Sequence, residues 1–261
     1  MLSRTQLTIR VRYDAPIRDA RRTLRVLPLA RAGQTVAHEN WTVSPRADSA
    51  LECLNAWGNR QLRLVHQNIE REFEFALELE TQTAPTAIAL EADERLGQYK
   101  LPSRAIDFGS ELQTLGRAQR SLAPLQRAAY FCAFCHDELH YRARADARPP
   151  NAATAWLRRV GSCADFAHIF ISLCRSSGLA ARYVAGYNPA QGQLHAWAEV
   201  LVDKQWHAFD PTHGRAPSLG CVAVGVGRDF YDLAPHVGSF RGEASAHLEL
   251  WCRTSTEKKY R

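Results

Sequence analysis

From Gln6 to about Thr81 the chain alternates apolar and polar positions with a period of two. Leu7, Ile9, Val11 and Tyr13 share one face, and the pattern returns in Leu24 and Val26, Trp41 and Val43, Leu62 and Leu64, and Phe73, Phe75, Leu77 and Leu79. A strand turns successive side chains to opposite faces, so these runs predict short strands with one buried side. Pro16, Pro28, Ala32-Gly33, Ser44-Pro45 and Gly58-Asn59 punctuate them at the spacing of an antiparallel sandwich. No ligand cluster falls in this part, and its expected role is structural or substrate-orienting.

Near "TQTAPTAIALEADERLGQYKLP" the period changes from two to helical. Helices are expected around Ser110 to Arg117, from Leu122 to Tyr141 and from Cys163 to Ser177, with strands again after them. Helices followed by strands predict an α+β protein. The expected organisation is an N-terminal antiparallel β-sandwich domain over residues 1–90 and an α+β catalytic domain with its own core over residues 91–261. A chain of 261 residues, 46% of them hydrophobic, is long enough to bury both.

Composition removes several function classes. No apolar run approaches the roughly 18 residues of a membrane span, and "MLSRTQLTIRVRYDAP" lacks the apolar core of a signal peptide, so the expectation is a soluble, cytoplasmic protein with no membrane partner. The net charge of +6 comes mainly from arginines spread along strand-like segments with acids between them. No basic block interleaved with aromatics occurs, and nucleic acid is not expected as a partner. Seven cysteines is an odd number, which in a reducing compartment points to thiols rather than a disulfide framework.

The segment "FCAFCH", Phe131 to His136, has the Cys-x-x-Cys-His spacing of haem attachment. Helical periodicity instead places Leu125, Ala128, Cys132, Cys135 and Leu139 within an arc of about 80°, where both thiols pack as small hydrophobes. Zinc is a rival reading, because Cys132, His136 and His140 step along one side of such a helix and a fourth ligand could come from elsewhere.

A second cysteine carries more chemistry. Gly161-Ser162-Cys163 leads directly into an apolar-periodic helix ended by Gly178, so Cys163 falls at a helix N-terminus. Aligned peptide dipoles there favour the thiolate, the nucleophilic form. Cys174 lies near the opposite end on the apolar face and reads as core. A thiolate nucleophile needs a partner that can protonate a leaving amine. His195 opens the strand "HAWAEVLVD", and a short turn at Asp203 to Gln205 leads back through "WHAFDPT" to Asp210. With an even-numbered loop His195 and Asp210 face the same side, where the carboxylate can fix the imidazole tautomer. A bulge is one way to close the remaining distance. His168, about 140° round the helix from Cys163, is disfavoured as the proton partner.

These blocks, Gly161-Ser162-Cys163-Ala164-Asp165-Phe166-Ala167-His168, Gly178 to Tyr187, His195 to Val200 and Trp206 to Thr212, together resemble the bacterial transglutaminase-like cysteine peptidases of the transglutaminase-like superfamily. "VGVGRDFYDLAPHVGSFRG" resembles that family's segment after the catalytic Asp, and "YDAPIRDARRTLRVLPL" with "AWGN" resembles the β-sandwich that often precedes the core. The resemblance implies a papain/transglutaminase-like α+β core with Cys163 as nucleophile, His195 as general acid/base and Asp210 as its orienting partner. It also implies that Trp197 shields the imidazole beside the substrate and that Asp229 and Asp232 line the pocket. Ser162, Ala164 and His213 depart from the family's usual residues, His213 standing where Asn is common, and bear on specificity. The expected activity is thiol-dependent acyl transfer at an amide, with hydrolysis of a peptide or carboxamide through a thioester favoured. Protein-glutamine amine transfer, or a catalytically silent peptide-binding module, are the alternatives. No metal or organic cofactor is expected, and the partner is a peptide or protein substrate.

Overall fold

The alternating N-terminal segments form strands β1 (Leu2–Tyr13), β2 (Ile17–Leu24), β3 (Gln34–Ser44), β4 (Ser49–Leu54), β5 (Arg60–Ile69) and β6 (Glu72–Thr83). The structure, a computed structural model, describes residues 1–90, 95–143, 148–190 and 193–257. Every second residue of β1 and β6 is buried, so Leu7, Ile9, Val11, Phe73, Phe75, Leu77 and Leu79 enter one core with Ile17, Leu24, Leu62 and Leu64. Trp41 and Val43 pack at its margin.

Beyond β7 (Ile88–Ala89) lie the helices α1 (Ser110–Ala118), α2 (Pro124–Glu138), α3 (Ala152–Arg158) and α4 (Cys163–Ser176), with the short parallel pair β8 (His140–Tyr141) and β9 (Val160–Gly161). Strands β10 (Ala181–Asn188), β11 (Gln193–Val202), β12 (Gln205–Phe209) and β13 (Val222–Gly227) then join β7 in a five-stranded antiparallel sheet ordered β13-β10-β11-β12-β7. Apart from Cys163, every residue of α4 is buried, between this sheet and the helices α1 to α3. α5 (Phe230–Leu233) leads to β14 (His236–Arg241) and β15 (Ala246–Glu257).

The last two strands correct the expected division at residue 90. β15 pairs along β1, and β14 pairs along β2, giving two four-stranded sheets ordered β15-β1-β6-β3 and β14-β2-β5-β4. The sandwich is therefore built from both ends of the described chain, with the α+β core inserted between β6 and β14. The division itself falls at the edge of residues 91–94, which lie outside the described residues.

Two amide side chains of the sandwich join it to the five-stranded sheet. Gln34 donates to the Ala223 carbonyl at 2.8 Å and accepts from the Ala223 N–H at 2.7 Å. Asn59 does the same at Val226, at 2.7 and 2.9 Å. Each amide thus supplies the donor and acceptor that a neighbouring strand would have offered to β13. Arg31 adds a buried ion pair to Glu199 of β11, which Arg182 of β10 also holds.

Candidate active site

α4 begins where its sequence signals a start. The Asp165 carboxylate accepts from the backbone N–H of Ser162 at 2.7 Å and from its hydroxyl at 2.9 Å, closing the first turn and setting an anion at the positive end of the helix. Gly161 permits this, because a Cβ there would sit 2.5 Å from the Asp165 Cβ. Cys163 is the first helical residue and is partly exposed.

His195 comes to this cysteine through sheet register. β10 and β11 pair Gly186 with His195, and β11 and β12 are joined by Asp203 and Lys204, both with positive φ of 48° and 60°. That is the two-residue turn whose twist suits a tight hairpin. The ladder runs to Ala198 opposite Phe209, so the next residue, Asp210, emerges beside Trp197 and on the same side as His195. The even loop suffices without a bulge. His195 Nε2 lies 2.8 Å from Asp210 Oδ2. Burial opposes the imidazolium, but the hydrogen bond to Asp210 and the adjacent Cys163 outweigh it and push His195 up to about 9. The ring's other nitrogen, Nδ1, is the one left for Cys163, whose thiol contributes to the upward shift. Burial works against the Asp210 carboxylate too, yet its bonds to His195 and His213 hold it below the usual range.

Asp210 is fixed by its own turn. Its Oδ1 accepts from the Thr212 N–H at 3.1 Å, and its backbone pairs with Arg215. His213 Nδ1 stands 2.7 Å from the same Oδ2 that His195 uses. α2 braces this turn from below: His136 Nδ1 bonds the Thr212 carbonyl at 3.0 Å, its ring sits against Gly214, and the Cys132 thiol reaches the Arg215 carbonyl at 4.0 Å.

The Cys-x-x-Cys-His segment thus serves the site from underneath. Ala128, Cys132, Cys135 and Leu139 are buried in one cluster, whereas Leu125, expected on the same stripe, is 44% exposed. Burial pushes the Cys132 thiol up to about 12 and Cys135 and Cys174 well above the ordinary thiol range, so all three are held as thiols. The side-by-side arrangement considered for zinc does not form, because α2 ends at Glu138 and His140 belongs to β8.

Trp197 and Asp229 are both buried. Trp197 is 3% exposed and stacks its ring against His195, centroids 6.2 Å apart, so it backs the imidazole from the core side. Asp229 is 2% exposed, and its two oxygens accept from Ala105 N–H at 2.9 Å and Tyr231 N–H at 2.8 Å. It caps α5 and ties down the Ala105 segment. Asp232 closes the same loop through Arg228. His168 is fully buried, receives the Phe230 N–H at 3.1 Å, and is pulled down to about 4 by burial, which keeps it neutral and structural. Three residues outside the expected site share in it. In the sequence His213 stood out only as a departure from the family's common Asn, and His136 only as a candidate zinc ligand beside Cys132. Tyr141 lies in the strand beside β9, its ring 6.5 Å from that of Phe166 on the Cys163 side of α4.

Comparison with known proteins agrees with this fold. Residues 113–211 match the transglutaminase-like superfamily, and residues 4–82 match the bacterial transglutaminase-like N-terminal region. A solved structure from Cytophaga hutchinsonii, described as "a Putative Cysteine Protease", has the same fold: TM-score 0.80 over 100% of this chain and 93% of that one, at 21% sequence identity. The uncharacterized protein ML0607 of Mycobacterium leprae is 34% identical over 100 residues, 34% of this chain and 36% of its own length. The protein-glutamine gamma-glutamyltransferase of Pseudomonas aeruginosa is 33% identical over 105 residues, 34% of this chain and 16% of its own length. The match therefore spans about a third or less of these two curated relatives.

Proposed function

Because the chain belongs to the transglutaminase-like superfamily and carries its bacterial N-terminal region, we propose that it is a cysteine enzyme performing acyl transfer at amide bonds, with hydrolysis as its main outcome. The observation that carries the reading is the convergence of a partly exposed Cys163 at the start of α4 with an imidazole that Asp210 holds from its far side.

In this reading the Cys163 sulfur attacks the carbonyl carbon of a peptide or carboxamide, forming a C–S bond and a tetrahedral intermediate. The first backbone N–H groups of α4 have no intrahelical acceptor, and that of Cys163 is placed to donate to the oxyanion. His195 gives its Nδ1 proton to the nitrogen as the C–N bond breaks, and the amine leaves behind a thioester. Water then attacks, His195 takes its proton, and the C–S bond breaks to release the acid. The hydrogen bond from Nε2 to Asp210 fixes the ring through both proton transfers. Hydrolysis is favoured because water needs no second binding site. Amine transfer is the second reading, favoured by the activity in the name of the Pseudomonas aeruginosa relative.

Two measurements test it. Iodoacetamide near neutral pH should modify Cys163 far faster than Cys132, Cys135 or Cys174, and equal rates would remove the activated nucleophile and leave a silent binding module. Incubation with a glutamine-containing peptide and a primary amine, followed by mass spectrometry, should give cleavage or deamidation that Cys163→Ala abolishes. Predominant incorporation of the amine would replace hydrolysis by transfer.

A further inference from the structure

The acid/base histidine shares its carboxylate with a second imidazole. Asp210 Oδ2 lies 2.8 Å from His195 Nε2 and 2.7 Å from His213 Nδ1. Orienting a catalytic imidazole takes one such contact, since a single hydrogen bond fixes tautomer and direction. The second brings three donor atoms, two ring nitrogens and a carboxylate oxygen, within 4.8 Å of one another. Two imidazoles and a carboxylate form a zinc donor set, with a fourth position left for water.

We propose that His195, Asp210 and His213 bind a divalent transition ion of the zinc type, and that the bound ion shuts off the catalytic histidine. Binding rests on these three side chains alone, while its effect on turnover rests on the acyl-transfer reading above. Zinc bonds nitrogen and carboxylate oxygen at about 2.0–2.2 Å, which places tetrahedral neighbours about 3.4 Å apart. The two nitrogen-to-oxygen contacts of 2.8 and 2.7 Å therefore need to widen by about 0.6–0.7 Å. Side-chain rotations on the order of 1 Å complete the set. Two nitrogen donors select zinc and its neighbours over magnesium or calcium, which prefer oxygen.

The surroundings suit such a centre. The second oxygen of Asp210 is already held by the Thr212 N–H at 3.1 Å, and Trp197 packs on the His195 ring, so two of the three ligands are oriented before any ion arrives. The side chains of His195 and Asp210 are 0% and 3% exposed, whereas that of His213 is 28% exposed, which makes His213 the side of entry. An ion on Nε2 takes the place of the proton shared with Asp210 and leaves the ring's one proton on Nδ1. An imidazole in that state has no lone pair with which to take a proton from the thiol or from water.

The test uses zinc chloride and the full chain. Calorimetric titration should show one tight equivalent in the wild type and in Cys163→Ala, and the step should weaken by ~100-fold or more in His213→Asn and in His213→Gln. Cobalt(II) should give the visible d–d absorption of a four-coordinate site in the first two proteins only. Zinc should slow iodoacetamide modification of Cys163 in the wild type but not in either His213 variant, while far-ultraviolet circular dichroism checks their folding. No tight equivalent in the wild type, or a step lost with Cys163 and kept without His213, would overturn the proposal. A wild type that binds zinc normally but has an unreactive Cys163 would instead sink the acyl-transfer reading and leave the metal site standing.

Discussion

Gly186 faces His195 across the β10–β11 ladder and is the point where the sheet under the site is most crowded. A Cβ at this position would lie 2.2 Å from the Val222 carbonyl oxygen and 2.5 and 2.8 Å from two carbons of the Trp197 ring. Neither neighbour yields cheaply. Val222 belongs to a paired strand, and Trp197 is wedged between the His195 imidazole and the cluster of Val184, Ala223 and Val226. Overpacking a filled core costs about 1–3 kcal/mol, and two rigid contacts well inside van der Waals distance put Gly186→Ala at the upper end, about 3 kcal/mol. For a chain of this size that corresponds to a fall in Tm of roughly 6–12 °C. Displacing Trp197 also tilts the imidazole it backs, so iodoacetamide modification of Cys163 should slow at temperatures where the variant is fully folded. Urea unfolding monitored by tryptophan fluorescence gives the first quantity and mass-resolved alkylation the second. A loss below about 1 kcal/mol with unchanged alkylation would show that the strands separate freely at the register shift between β10 and β13, and would refute this packing cost.

His136→Ala removes the bond to the Thr212 carbonyl, a contribution of about 0.5–1.5 kcal/mol, and should slow Cys163 alkylation by up to ~10-fold, with His136→Asn recovering most of it because its amide can donate to the same carbonyl. Equal rates in the alanine and asparagine variants would show that the turn holds Asp210 without α2. Asn59→Ala leaves the N–H and carbonyl of Val226 buried without partners and is expected to cost about 2–5 kcal/mol in urea unfolding, against a few tenths for a surface Asn. Acid should destabilise the fold through its neutral buried histidines. Burial pulls His168 and His236 down to about 4 and lowers His66, and the Arg22 charge adds to the effect at His236 and His66. The unfolded chain binds these protons below about pH 6.5 and the folded one does not until about 4, so the stability these histidines contribute is full above about 6.5 and is lost as pH drops toward 4. That of His195, raised to about 9, is instead full below about 6.5 and lost as pH rises through 9. The slope should be visible between pH 7 and 5, and a flat profile there would refute it.

The sandwich was legible where burial is one-sided. β1 and β6 write their inner face as an unbroken alternation, and the same residues form the core. β15 was not legible because it is an edge strand whose Leu248, Leu250 and Trp251 are 37%, 38% and 54% exposed, so no clean alternation marks it. The three core positions of the site could be read because each depends on local geometry: a helix start for Cys163, strand parity and a two-residue turn for His195 and Asp210. The stacking of Trp197 on His195 and the burial of Asp229 against Ala105 depend on packing between elements, which spacing along the chain does not show. A local signal for Asp229 did exist, since an Asp ahead of "FYDL" is an N-cap. His213 reaches Asp210 through the shape of the 210–215 turn, which spacing along the chain does not determine.

The amide contacts of Gln34 and Asn59 with β13 join residues 189 and 167 positions apart, and Ser3 bonds Gly220 across 217 positions. Contacts of that span are the slowest kind to form, because the loop between them must close before anything is gained. A chain emerging from its N-terminus carries β1 to β6 without the two strands that complete their sheets, and carries Cys163 well before the strands that bring His195 and Asp210 to it. β11 and β12 finish the Cys163, His195 and Asp210 site, and β14 and β15, later still, finish the sandwich. A chain stopped before Asp210 holds Cys163 without its histidine and carboxylate together, and one stopped before β14 lacks an edge strand of each sandwich sheet.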